Sequence, residues 1–209
     1  MVPKASFVLV VAVTVAVLVP ISIALAGLGP KTTEGFYNNA PISIADARGD
    51  VKPVSQRTDG EVGPVPVVKD YHDIIGASVQ KRGEVFFFSI YLAGNPNKNE
   101  NYETMYRWHI ITTNQITGGE QQYRILMPNF HTGNSTRDGW YFGVYDVTAG
   151  TFKMPMRKIF DMPENRVEFP VEDFYIGNPS SFRFWVEVAV RSNSTTSGPP
   201  DYLMDYAPK

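Results

Sequence analysis

The chain has 209 residues, a formal net charge of −2 and no cysteine. This near balance of charge offers nothing to a nucleic-acid backbone. The missing thiols exclude disulfides, thiolate nucleophiles, thiolate metal sites and iron–sulfur clusters. Aromatic residues make up 13 %, with 17 Gly and 16 Pro, a balance that favours strands and turns over helices.

Residues Ala5 to Pro30 carry no charge. As a helix, Ala5–Ala26 would span ~33 Å, enough for a hydrocarbon core of ~30 Å. Two readings fit this segment, taken here as residues 1–29. One is a retained transmembrane anchor at the cell membrane, single-pass, with the C-terminal domain outside because Lys4 keeps the short N-terminus inside. The other is a signal peptide. Lys4 supplies its positive start, Pro20 breaks its helix, and Ala24-Leu25-Ala26 offers a small-x-small site for cleavage after Ala26 and secretion.

Residues 30–69 hold five Pro and four Gly among Ser, Thr, Asp and Asn. No period of 2 or 3.6 is sustained there, so the stretch reads as a linker or a covering segment. Phe36-Tyr37 and the apolar run Pro64–Val68 are its candidates for docking. Residues 70–209 read as one domain, large enough for a substantial core.

That domain reads as successive strands. Ile74–Gln80 meets Glu84–Ala93 through a turn at Lys81-Arg82-Gly83. In the second strand Phe86, Phe88, Ile90 and Leu92 share one face, with Val85, Phe87, Ser89 and Tyr91 on the other. Tyr102–Thr113, Gln121–Met127, Trp140–Thr148, Phe152–Ile159 and Arg166–Val171 follow. Ser181–Arg191 closes the series, with Phe182, Phe184, Val186, Val188 and Val190 on one face and Arg183, Trp185, Glu187 and Ala189 opposite. Val171–Ile176 has room for one short helical turn. The expected fold is mainly β: an antiparallel immunoglobulin-like or jelly-roll-type sandwich of about 7–9 strands, preceded by one hydrophobic helix.

Five stretches carry a resemblance: Asp70-Tyr71-His72-Asp73-Ile74, Leu92-Ala93-Gly94, Gly143–Phe152 (GVYDVTAGTF), Phe169–Phe182 (FPVEDFYIGNPSSF) and Pro200–Pro208 (PDYLMDYAP). Over about residues 70–208 the chain resembles secreted prokaryotic β-sandwich domains of the DOMON and family-9 carbohydrate-binding superfamily. The resemblance implies a sandwich fold and, variously, a sugar ligand, haem b or no ligand. Its motifs are mostly turn and packing chemistry, so they speak to fold more than to function. Pro170 in this pattern fits an edge strand.

Candidate sites follow from side-chain chemistry. A sugar needs an aromatic platform with polar flanks, which Trp185 offers beside Arg183 and Glu187, with Tyr91 and Tyr145 as further members of an outer aromatic face; Trp108 and Trp140 read as core. Calcium takes hard oxygen ligands, and Asp70 and Asp73 at the domain's start with Asp201 and Asp205 at its end are the candidate set. Haem b in such relatives is held by Met with His or Lys. Here Met105 and His109 share a strand face but lie ~13 Å apart along it, so haem is not expected. His72, His109 and His131 show no metal-ligand spacing and read as structural or surface residues. Asn134 and Asn193 begin N-x-[ST] glycosylation sequons in polar loops.

No hydrolase elbow, metalloprotease helix motif or phosphate-binding loop is present. The acidic group Asp161, Glu164, Glu168, Glu172 and Asp173 reads as a solvated turn. The expectation is a non-catalytic domain outside the cytoplasm, held at a membrane by residues 5–26. It would act as an accessory or interaction subunit of a membrane complex or cell envelope, through the Phe87–Tyr91 face or the Trp185 face. Carbohydrate binding or a haem-bearing electron-transfer role is the alternative.

Overall fold

A computed structural model describes residues 34–56, 64–99, 103–130, 138–159, 162–191 and 202–208. The hydrophobic segment, both sequons (Asn134 and Asn193), His131 and Asp201 lie outside the described residues. Among the described residues no helix is long and apolar enough to cross a membrane.

The chain is mainly β, with twelve strands in two antiparallel sheets among the described residues. They are β1 (Gly35–Asn38), β2 (Ile42–Ala45), β3 (Val54–Ser55), β4 (Ile74–Arg82), β5 (Val85–Leu92) and β6 (Glu103–Thr113), then β7 (Glu120–Phe130), β8 (Gly139–Asp146), β9 (Thr151–Lys158), β10 (Arg166–Glu172), β11 (Ser181–Arg191) and β12 (Tyr202–Ala207). The larger sheet runs β3-β12-β11-β6-β7-β8-β9, and β1 also pairs with β11. The smaller sheet runs β10-β5-β4-β2. Short 3-10 turns occupy Asp70–His72, Pro96–Lys98 and Asp173–Ile176; the last is the turn expected near Val171–Ile176.

Strict alternation explains the core. Phe86, Phe88, Ile90 and Leu92 of β5 are buried, as are Phe182, Phe184, Val186, Val188 and Val190 of β11. Alternate side chains on a strand point to opposite faces, so each set lines one face of its sheet. The two inner faces meet through aromatic contacts. Phe88 lies 5.0 Å from Trp108 and Phe86 lies 5.5 Å from Phe182, between ring centroids. Val167, Phe169 and Val171 of β10 and Tyr123, Ile125 and Val144 of β7 and β8 complete the interior. Pro170 sits on β10, which is an edge strand, where no ladder hydrogen bond is lost on its open side. Pro128 lies in a central strand, β7, where the β7–β8 ladder skips from Leu126↔Gly143 to Asn129↔Trp140.

The stretch read as linker or cover contributes three strands within residues 35–55: β1 on β11, β2 on β4 and β3 on β12. Tyr37 is buried and stacks on Phe182 at 4.9 Å. Gly35 is required in β1, because a Cβ there would stand 2.4 Å from the Phe184 ring. The C-terminal stretch beyond the last expected strand forms β12, which continues the large sheet beside β11. A register shift between Val188 and Ala189 interrupts that pairing.

Candidate functional site

The outer face of the large sheet carries an unusual row. The registers place Trp185 opposite His109, His109 opposite Arg124, Arg124 opposite Tyr145 and Tyr145 opposite Phe152. One side chain from each of five neighbouring strands therefore lies in line, and at a strand spacing of ~4.8 Å the row spans ~19 Å. His109 stacks flat on Trp185, with centroids 4.4 Å apart and planes 6° from parallel. Tyr145 meets Phe152 edge-on at 5.1 Å.

A second row runs beside it: Tyr206, Glu187, Arg107, Leu126 and Gly143. Gly143 makes room for Met156, whose Sδ would lie 2.9 Å from a Cβ at that position. Glu187 is the hub. Its Oε1 accepts from the His109 Nε2 at 2.7 Å and is ion-paired with the Arg107 Nε. Arg107 also donates to Gln56 Oε1 at 3.5 Å. Arg107, His109 and Glu187 are each buried. Burial alone would raise the Glu187 carboxyl, but Arg107, His109 and Arg124 override it and bring its pKa down to about 2. Burial lowers the His109 pKa against the pull of Glu187, so the imidazole is neutral and its Nε2–H donates to the carboxylate.

Trp185 and Glu187 thus share one face, as their parity on β11 requires. Arg183 lies on that face too, exposed, and is paired with Glu34 at 2.7 Å and Glu120 at 2.9 Å. Tyr91 is placed elsewhere. It stands on the outer side of β5 in the smaller sheet, bonded to Ser78 Oγ at 3.1 Å. There it lines a groove of about 470 Å³ with Arg48, Ile75, Ala93 and Asn165. The two outer faces point away from each other across the core, so Tyr91 and Trp185 do not form one platform. Trp108 and Trp140 are buried. Met105 and His109 both face outward on β6, four positions apart.

The carboxylates at the domain's ends converge in part. Asp205 Oδ2 accepts the Ile74 N–H at 2.7 Å, and Asp73 Oδ2 accepts the Gly49 N–H at 2.8 Å. The ligand oxygens that gather within 4.8 Å of one another belong to Asp46, Asp50 and Asp205. Three carboxylates at that spacing have the oxygen chemistry a hard cation takes. Asp70 is exposed at the head of its 3-10 turn, and Asp46 and Asp50 come from the segment before the expected domain.

His72 is fully buried in that turn. Burial first, and Lys69 second, push its pKa down to about 3. Its Nδ1 accepts the Lys69 N–H at 3.3 Å, which leaves the neutral ring's proton on Nε2.

Sequence reasoning named Trp185 and Glu187 on this face but did not place Arg107, His109 and Arg124 beside them. The available signal was parity: Met105, Arg107 and His109 alternate with the apolar Tyr106, Trp108 and Ile110. What lies beside them on β7 and β11 depends on register. No family model matches the chain, and no curated protein or solved structure matches it.

Proposed function

We propose that this chain is a non-catalytic interaction module, carried outside the cytoplasm at a membrane by residues 5–26, that presents the outer face of its large sheet to a protein partner. The observation that carries this reading is the five-strand row Trp185–His109–Arg124–Tyr145–Phe152, flanked by Tyr206, Leu126 and Met156. Aromatic residues, Met and Arg are the side chains enriched at the centres of protein interfaces. A solvated outer face of an antiparallel sheet ordinarily carries mostly polar residues. The finer fold assignment, an immunoglobulin-like or jelly-roll-type sandwich related to DOMON and family-9 carbohydrate-binding domains, belongs to the same proposal. It rests on the turn and strand-end motifs between Asp70 and Pro208.

The test uses the full-length chain extracted from membranes in mild detergent. Native mass spectrometry reports whether residues 1–26 are retained and which proteins travel with the chain. The double substitution Tyr145→Ser and Phe152→Ser should release those partners, and cross-links from Lys153, next to Phe152, should disappear. Unchanged retention, with cross-links confined to the smaller sheet, would overturn the reading.

One observation favours a second reading. Trp185 lies flat on His109 between Arg183 and Glu187, an aromatic surface with polar flanks of the kind that stacks on a sugar ring. Soluble glycans that bind the chain and lose affinity on Trp185→Ala would transfer the assignment to carbohydrate.

A further inference from the structure

Arg124 stands at the middle of the outer row, between His109 and Tyr145. Its Nε is buried and meets no hydrogen-bond acceptor among the described residues. The carboxylate in its field, Glu187, is already bonded to Arg107 and His109. His109 is neutral, so the cluster sets two guanidinium charges against one carboxylate. Arg183, on the same face, contrasts with this: two glutamates pair with it.

A guanidinium partly withdrawn from water, beside a carboxylate already engaged by a second arginine, attracts an anion more strongly than a fully exposed one, because the local dielectric is lower. Its planar fork also matches the two oxygens of a carboxylate. Burial and then the neighbouring Arg107 both act against the Arg124 charge, and an incoming anion supplies the counter-charge that offsets them. The surroundings narrow the class of ligand. Tyr145, Phe152 and Met156, each partly exposed, border the cluster with apolar surface suited to a peptide's side chains rather than to a heavily hydroxylated polymer.

We propose that Arg124 is the anchor point for a carboxylate side chain on an acidic segment of the protein partner. This rests on the outer-face reading above. Around the anchor, Trp185 and Tyr145 flank the acidic residue, and the partly exposed Phe152 and Met156 receive its neighbours in sequence.

Poly-L-glutamate serves as the probe, titrated calorimetrically into the full-length chain in detergent at low and high salt. The expected result is binding that weakens with salt and falls about tenfold in Arg124→Gln, the loss of one charge-assisted contact. Arg124→Lys, which keeps the charge but not the fork, should fall between wild type and Arg124→Gln. Arg183→Gln should change affinity by no more than about twofold, since that exposed group is already paired. Melting curves of each variant establish that it is folded. Absence of polyglutamate binding, equal affinity in wild type and Arg124→Gln, or preferential binding of polygalacturonate would each overturn the proposal. If Tyr145→Ser with Phe152→Ser releases the partners while Arg124→Gln leaves polyglutamate binding intact, the anchor role falls and the interface stands. If neither variant has an effect, both fall.

Discussion

Lowering the pH from 7 to 4 should destabilise this fold through one identifiable side chain. His72 is fully buried and its folded pKa is about 3. In an unfolded chain a histidine titrates near ~6.5. Between these values the unfolded chain binds a proton that the folded chain refuses. Stability from this group is therefore complete above the unfolded value and is lost progressively as the pH falls toward 3. Each pH unit in that window is worth about 1.4 kcal/mol, so at pH 4 the loss from His72 is roughly 3 kcal/mol. Against a total stability of about 5–15 kcal/mol this is a large fraction. For a chain of this size it corresponds to roughly 6–12 °C in Tm. The perturbation that isolates it is His72→Gln, which keeps an acceptor within reach of the Lys69 N–H and does not titrate. Thermal melts of wild type and variant across pH 4 to 7 supply the assay. The wild type should lose that much more Tm than the variant, whereas His109, present in both, cancels from the difference. Parallel profiles, or an imidazole NMR signal for His72 titrating near ~6.5, would refute the reasoning.

Three further outcomes are expected of the same fold. Glu187→Gln leaves Arg107 and Arg124 without their carboxylate, and urea unfolding should show a loss of about 3–5 kcal/mol. In wild type the Glu187 contribution, with a folded pKa of about 2 against an ordinary 4.5, is complete above 4.5 and declines as the pH falls toward 2; the variant should lack that decline. Phe182→Ala empties a position packed against Tyr37, Phe86, Phe88 and Phe184, and its chemical denaturation midpoint should drop by an amount equivalent to about 3–5 kcal/mol. Gly94→Ala would set a Cβ 2.9 Å from the backbone of Asp70 and Tyr71. Displacing that turn should cost about 1–3 kcal/mol and, by letting water reach His72, flatten the pH dependence between 7 and 4.

Much of the two-sheet fold was legible because strand faces are local. The alternation in β5 and β11 named nearly every inward residue of those strands, and the apolar runs located β6 to β10 within a few positions. The short strands β1, β2 and β3 carried no such signal. Four residues or fewer cannot establish a period, and these strands exist only because β11, β4 and β12 offer edges to pair with. β12 was obscured for a different reason. The register shift at Val188/Ala189 lets Met204 and Asp205 both be buried, which breaks the alternation in YLMDYA.

The candidate site divides along the same line. That Arg183, Trp185 and Glu187 share a face follows from covalent geometry, since every second side chain of a strand points the same way. That Glu187 meets Arg107 and His109, that Arg124 stands beside them with its Nε unpartnered among the described residues, and that Asp205 meets Asp46 and Asp50 instead of Asp70 were decided by strand register and by which edges pair. Register is chosen by how the two inner faces pack, a property of residues far apart in the chain. Periodicity along a strand was therefore open to reading from the residues alone, whereas adjacency between strands, where the chemistry of this protein lies, required the folded structure.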